Sequence, residues 1–210
     1  MKIFKNFIFD WSGTLVDDLG PVLDSTNKVF NHFGKPSFTR EKFCSEFSLP
    51  FKNFYERFLP DISMPELELL YTKFFNESEE KVKLLEGSRD LLDVFKKSKV
   101  NTYLLSSIQK QHFENQAAEL GLLNMFNHVY TEALDKRDWI SKLLKDNFLK
   151  KEETVFIGDM QHDIETAQFA GVYSVAVLTG YNSREMLEES SPDLIVNNLM
   201  EFKELIFSNN

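Results

Sequence analysis

The sequence predicts an α/β protein in which a parallel sheet, covered by helices on both faces, is interrupted near its start by a helical insertion. Three observations carry this. An apolar run, Phe7-Ile8-Phe9, reads as a strand that delivers Asp10 to its end. Over residues 18–83 the apolar residues recur only at helical spacing, with no strand pattern between them. From residue 84 onward helix and strand patterns alternate, as they do where parallel strands are joined by crossover helices.

After Asp17-Asp18-Leu19-Gly20-Pro21, the residues Val22, Val29, Phe30 and Phe33 mark a first helix, stopped by His32-Phe33-Gly34-Lys35-Pro36. Further helical patterns cover residues 39–47, 50–58 and 65–75, divided by the breakers Ser48-Leu49-Pro50 and Leu59-Pro60-Asp61. Phe30, Phe43, Phe47, Phe54, Phe58 and Phe74 are expected to pack among these helices, some of them at the mouth of a cleft. Beyond them, helices over residues 87–97, 111–120, 138–148 and 164–170 alternate with strands at 101–106, 126–131, 154–158 and 173–177. A last strand at 193–196 and a helix at 200–207 complete the pattern. The expected division is a core of residues 1–17 and 84–210 and a helical unit of residues 18–83.

The 210 residues suffice for a buried core, and 42% hydrophobic with 27% charged residues speaks against disorder. A net charge of −9 repels nucleic acid and anionic lipid, so neither is an expected partner. No apolar run reaches the length of a membrane span, and the start MKIFKNFIFDW turns acidic too soon for a signal peptide, which predicts a cytoplasmic protein. The single Cys44 excludes an internal disulfide and reads as filler.

In open parallel sheets the ligand site lies beyond the carboxyl ends of the strands. Those positions here hold Asp10, then Ser106-Ser107, then Lys136 shortly after the third strand, then Gly158-Asp159 with Asp163. Three carboxylates, two hydroxyls and an ammonium thus converge on one rim. Carboxylates are hard oxygen ligands suited to Mg²⁺, and one that also attacks phosphorus gives an aspartyl-phosphate. Lys136 and the Ser106 hydroxyl can hold phosphate oxygens, supplying the positioning and charge neutralisation from which most phosphoryl-transfer catalysis comes.

The set Asp10-Trp11-Ser12-Gly13-Thr14, Ser106 after Tyr103-Leu104-Leu105, Lys136, and Gly158-Asp159 with Asp163 resembles, in order and spacing, the four motifs of the haloacid dehalogenase superfamily. The insertion right after the first motif is similar to the mobile cap of the subfamily containing phosphoglycolate phosphatases. The resemblance implies a Rossmann-like core with an α-helical cap, and a Mg²⁺-dependent phosphohydrolase acting on a small phosphorylated metabolite. It implies Asp10 as nucleophile and Mg²⁺ ligand, the Ser12 backbone carbonyl and Asp159 as further ligands, and Asp163 as a ligand through water or an acid orienting the site. Ser106 then binds phosphate, and Lys136 pairs with Asp10 and the phosphate. Asp17 and Asp18 are expected to start the first helix, and Trp11 to pack or to wall the cleft.

Ser12 departs from the phosphatase pattern, in which this position is an acid that protonates the leaving alcohol and then activates water. Serine is too weak an acid for that task. General acid–base catalysis is worth roughly 10² to 10⁴ in rate, or about 3 to 5 kcal/mol of barrier. The expectation is an impaired phosphatase that is least impaired for acyl and aryl phosphates, whose leaving groups need no proton. The same motif also resembles phosphonoacetaldehyde hydrolase, where a cap lysine forms a Schiff base, a role for which Lys52 is the best placed residue. His162, a loop histidine expected to be exposed, is a candidate surrogate acid. A third possibility is a non-catalytic protein that binds a phosphorylated ligand or a protein partner.

Overall fold

The computed structural model describes residues 4–207. Its strands, in chain order, are β1 (Asn6–Phe9), β2 (Val16–Asp17), β3 (Lys83–Leu84), β4 (Asn101–Leu105), β5 (His128–Tyr130), β6 (Thr154–Gly158), β7 (Tyr173–Val177) and β8 (Leu194–Val196). Six of them form one parallel sheet in the order β5-β4-β1-β6-β7-β8. After β1 the chain builds outward through β4 and β5, then returns to the other side of β1 for β6, so the order reverses at β1. A crevice opens at such a reversal, beyond the carboxyl end of the strands. Asp10 stands there, its N–H still donating to the Ile157 carbonyl at 2.9 Å as an extension of the ladder.

The two-residue period of a strand decides what each face buries. Phe7 and Phe9 of β1 join Leu104, Val155 and Ile157 in one hydrophobic cluster, whereas Ile8 joins Tyr103, Leu105 and Phe156 in another. Helices cover both faces. Leu91, Leu92 and Phe95 of α5 (Ser88–Lys97), Phe113 of α6 (Lys110–Glu119) and Phe202 of α10 (Leu199–Phe207) cover the first. Ile140 and Leu143 of α7 (Lys136–Asp146) and Ala167 of α8 (Gln161–Ala170) cover the second.

Between β2 and β3 the chain forms α1 (Leu19–His32), α2 (Arg40–Glu46), α3 (Phe51–Phe58) and α4 (Met64–Asn76), and no strand interrupts them. These helices share a cluster of their own around Phe30, Phe43, Phe54 and Leu67, edged by Phe47, Phe58 and Phe74, so the phenylalanines pack as expected. The insertion leaves and rejoins the core through β2 and β3, which pair antiparallel with Val16 opposite Leu84. Two residues a side are too few to show an alternating pattern, and the sequence reading missed both. It also missed α9 (Arg184–Glu189), a short helix that buries only Leu187 and is capped by Ser183, whose hydroxyl accepts from the Met186 N–H at 3.3 Å. α7 begins at Lys136 rather than Asp138, because Asp135 caps it by accepting from the Arg137 N–H at 3.1 Å.

Candidate active site

Asp10, 3% exposed, follows the last residue of β1, and Lys136, 0% exposed, is the first residue of α7. Lys136 Nζ lies 2.8 Å from Asp10 Oδ1 and 2.6 Å from Asp163 Oδ1. Starting the helix at Lys136 is what aims this side chain back at the sheet edge, since side chains of a first turn tilt toward the helix N-terminus. Burial works against the ammonium charge, yet Asp10 and Asp163 together outweigh it and hold Lys136 above its usual value.

Asp159 stands in the turn after β6. Its Oδ1 accepts from Thr14 Oγ1 at 3.1 Å and its Oδ2 from the Tyr181 N–H at 2.8 Å. Backbone closes around this carboxylate: Gly13, at φ +70°, and Gly180 approach so near that a Cβ on either would sit 2.4 Å and 2.0 Å from Asp159 Oδ2. Glycine at both positions is therefore a packing requirement of the carboxylate. Asp163 occupies the third position of α8. Besides meeting Lys136, it accepts from the Met160 N–H at 3.1 Å and so closes the helix N-terminus.

The carboxylates of Asp10, Asp159 and Asp163 are all buried, with one oxygen from each within 4.8 Å of the others. A single ammonium faces three carboxyl groups. Burial, and then the neighbouring carboxylates, push Asp10 up and Asp159 well up from the ordinary carboxyl value. An all-oxygen set with excess negative charge suits a hard divalent cation such as Mg²⁺, whose charge would reverse that push.

Ser12 and Asp18 form a second polar group beside the first. Ser12 Oγ donates to Asp18 Oδ2 at 2.5 Å, and Tyr181 Oη donates to Asp18 Oδ1 at 3.1 Å. Asp18 stands at the helix start as expected, as the N-cap of α1, but its side chain makes no capping bond and is 3% exposed. Burial, opposed by the two hydroxyl donors, pushes its carboxyl up to about 7. Asp17, by contrast, accepts from the Leu19 N–H at 3.4 Å at the helix start, as expected.

His162 is corrected. It is 5% exposed, and its Nε2 accepts from the Lys136 N–H at 3.1 Å. Burial holds it down to about 4, so it is a neutral support for α7 and offers no proton near neutral pH. Trp11 is fully buried, packing edge-on against Phe113 and donating to Gln116 Oε1 at 2.7 Å.

A cavity lies between the helical insertion and the carboxyl edge of the sheet. Asp10, Ser12, Asp18, Ser106 and Ser107 line its floor. Ser106 is 2% exposed, and its Oγ accepts from the Ile108 N–H at 3.4 Å. Lys52 is elsewhere: it is exposed on α3 and lies 3.4 Å from Glu56, while its neighbour Phe51 reaches the cavity. Sequence reasoning brought Asp10, Ser12, Ser106, Lys136, Asp159 and Asp163 together, as the structure does. It missed Thr14, Gly180, Tyr181 and the role of Asp18; of these only Thr14 lies in a recognised motif.

The chain is similar to known proteins along nearly its whole length. It is 27% identical to a phosphoglycolate phosphatase of Synechococcus elongatus over 192 residues, 90% of this chain and 91% of that one. It is 26% identical to the pyrophosphatase PpaX of Bacillus mycoides over 213 residues, 95% of this chain and 94% of that one. Its fold matches the structure of a haloacid dehalogenase-like family hydrolase from Streptococcus pneumoniae with a TM-score of 0.82, at 21% identity, covering 96% and 98% of the two chains. The model of the haloacid dehalogenase-like hydrolases matches residues 7–177, from the strand that leads into Asp10 to the end of β7, and this protein belongs to that family.

Proposed function

We propose that the protein is a Mg²⁺-dependent phosphohydrolase that acts on a small phosphorylated metabolite through an aspartyl-phosphate on Asp10, beneath a cap formed by residues 18–83. The observation that carries this is the position of Asp10: a buried carboxylate at the reversal of the sheet, on the floor of a cavity, 2.8 Å from a buried lysine and grouped with two more buried carboxylates. The names of the relatives agree with the reaction class.

Asp10, Asp159 and the Ser12 carbonyl would hold the metal, and bound Mg²⁺ would neutralise phosphate oxygens as charge develops on them. Asp163 holds the Lys136 ammonium and the Met160 N–H, contacts that suit an orienting role beside the metal. Lys136 keeps its proton throughout and steadies both the attacking carboxylate and the phosphate. Asp10 attacks phosphorus, the bond to the leaving oxygen breaks, and water then releases phosphate from the acyl phosphate. Ser12 supplies no acid for the first of these steps. The Schiff-base route lacks its amine, since among the described residues no lysine of the insertion lines the cavity. A screen of phosphorylated metabolites with Mg²⁺, run on wild type beside Asp10→Asn, tests the proposal. Turnover that disappears in Asp10→Asn supports it, and turnover that persists there refutes it.

A further inference from the structure

The cavity above Asp10 carries information about the organic half of the substrate, taking the phosphohydrolase reading as its basis. Its upper wall is built by the insertion and is almost wholly apolar and aromatic: Phe47, Phe51, Tyr55, Met64, Tyr71 and Phe75. Rings also meet across the seam with the core, Phe75 against His112 at 4.9 Å and Phe47 against Tyr181 at 5.6 Å. Among the described lining residues none is lysine or arginine, and the ionised candidates apart from Asp10 are two further acids, Asp18 and Glu68. Burial lowers His112 from its ordinary value, which keeps it neutral. Lys136 is held beneath the floor by Asp10 and Asp163.

A substrate with a second anionic group, such as the carboxylate of phosphoglycolate or the second phosphate of pyrophosphate, would place that charge among acids with no cation to meet it. Burying an unpaired charge is among the most costly things a site can do. A flat uncharged ring meets the opposite reception, because aromatic walls bury large apolar area and offer stacked or edge-on contacts.

The floor leads to the same class from different chemistry. Serine at position 12 brings no acid of its own to the leaving oxygen, which favours leaving groups that depart without a proton. A phenol ionises near pH 10, as the tyrosine side chain does, whereas water, and simple alcohols with it, ionises only near 15.7. An aryl oxide therefore leaves where an alkoxide needs help. We propose that this protein takes phosphomonoesters of uncharged phenols, in contrast to the substrates with a second anionic group for which its relatives are named.

The test compares kcat/KM for 2-naphthyl phosphate, phosphoglycolate, pyrophosphate and glycerol phosphate on the full chain with Mg²⁺, with Asp10→Asn as blank. Naphthyl phosphate is expected to exceed the two doubly anionic compounds by about 100-fold or more. On Asp10→Asn, which cannot form the acyl phosphate, naphthyl phosphate should also bind with a lower Kd than glycerol phosphate, a difference that leaving-group reactivity does not produce. Glu68→Lys, on the half-exposed face of α4, should raise kcat/KM for phosphoglycolate about tenfold relative to that for naphthyl phosphate. Asp10-dependent turnover that favours phosphoglycolate or pyrophosphate overturns the substrate class and leaves the phosphohydrolase reading standing. Equal Kd values for the naphthyl and glycerol esters on Asp10→Asn overturn the role given to the aromatic wall. Absence of Asp10-dependent turnover on all four compounds overturns both.

Discussion

Replacing Asp18 by asparagine is expected to stabilise the metal-free protein at neutral and alkaline pH. The carboxyl is 3% exposed and is pushed from 3.8 to about 7 by burial. That is a change of about three pH units, each worth about 1.4 kcal/mol, so ionised Asp18 costs the fold about 4 kcal/mol. The sign follows from linkage. A carboxyl whose folded-state value is raised loses stability as pH climbs from about 4, where the unfolded chain ionises, to about 7, where the folded chain does, and the loss is complete above that. Asparagine keeps polar atoms beside the Ser12 and Tyr181 hydroxyls and removes the titration. Thermal unfolding followed by circular dichroism in a chelator, from pH 4 to 9, should show variant and wild type close at pH 4. The variant should melt about 8 to 16 °C higher at pH 8, at about 2 to 4 °C per kcal/mol for a chain of this size. A variant that melts at or below wild type at pH 8 would show that Ser12 and Tyr181 stabilise the carboxylate more than burial penalises it, and the reasoning would fail.

Two further outcomes follow from the same contacts. Restoring the missing acid by Ser12→Asp alone puts a second carboxylate where Ser12 Oγ now lies 2.5 Å from Asp18, so this variant should gain little alkyl-phosphate turnover and lose stability. Ser12→Asp combined with Asp18→Asn should raise kcat on alkyl phosphates by about 10² to 10⁴ while changing aryl phosphates far less, as steady-state kinetics would show. Lys136→Met keeps the volume and leaves the buried carboxylates without their ammonium. It should lose about 3 to 5 kcal/mol in a chelator, recover part of that on adding Mg²⁺ through binding to the folded state, and be inactive; urea titrations with and without Mg²⁺ measure both effects.

The sheet, its helices and the insertion were legible in the sequence because each strand is an apolar run and each helix an apolar stripe bounded by breakers. The rim residues were legible because a parallel sheet sends the ends of its strands to one edge. Asp18 was not, because an acid before a helix reads as a cap, and nothing in the local sequence tells that Ser12 and Tyr181 will turn it inward. Tyr181 lies 163 positions from its partner Asp18, a distance no motif spans. His162 read as a loop residue because the placement of α8 against α7, which buries it, is a tertiary fact. The apolar character of the cavity was half legible: the phenylalanines were expected to pack, but which rings face one another and which face Asp10 depends on how four short helices cross.

The narrow ribbon of β2 and β3 ties shape to reactivity. Gly13 N–H donates to the Val16 carbonyl at 2.8 Å and Leu85 N–H to the Leu15 carbonyl at 3.1 Å, so the neck of the insertion is stitched to the turn that carries Ser12. Thr179 Oγ1, donating to the Gly13 carbonyl at 2.7 Å, anchors the far side of that turn. On the proposed mechanism, a shift of the insertion about this neck would be passed to the carbonyl of Ser12, so a mutation that loosens the neck is expected to misalign the metal site without touching any residue of the cavity.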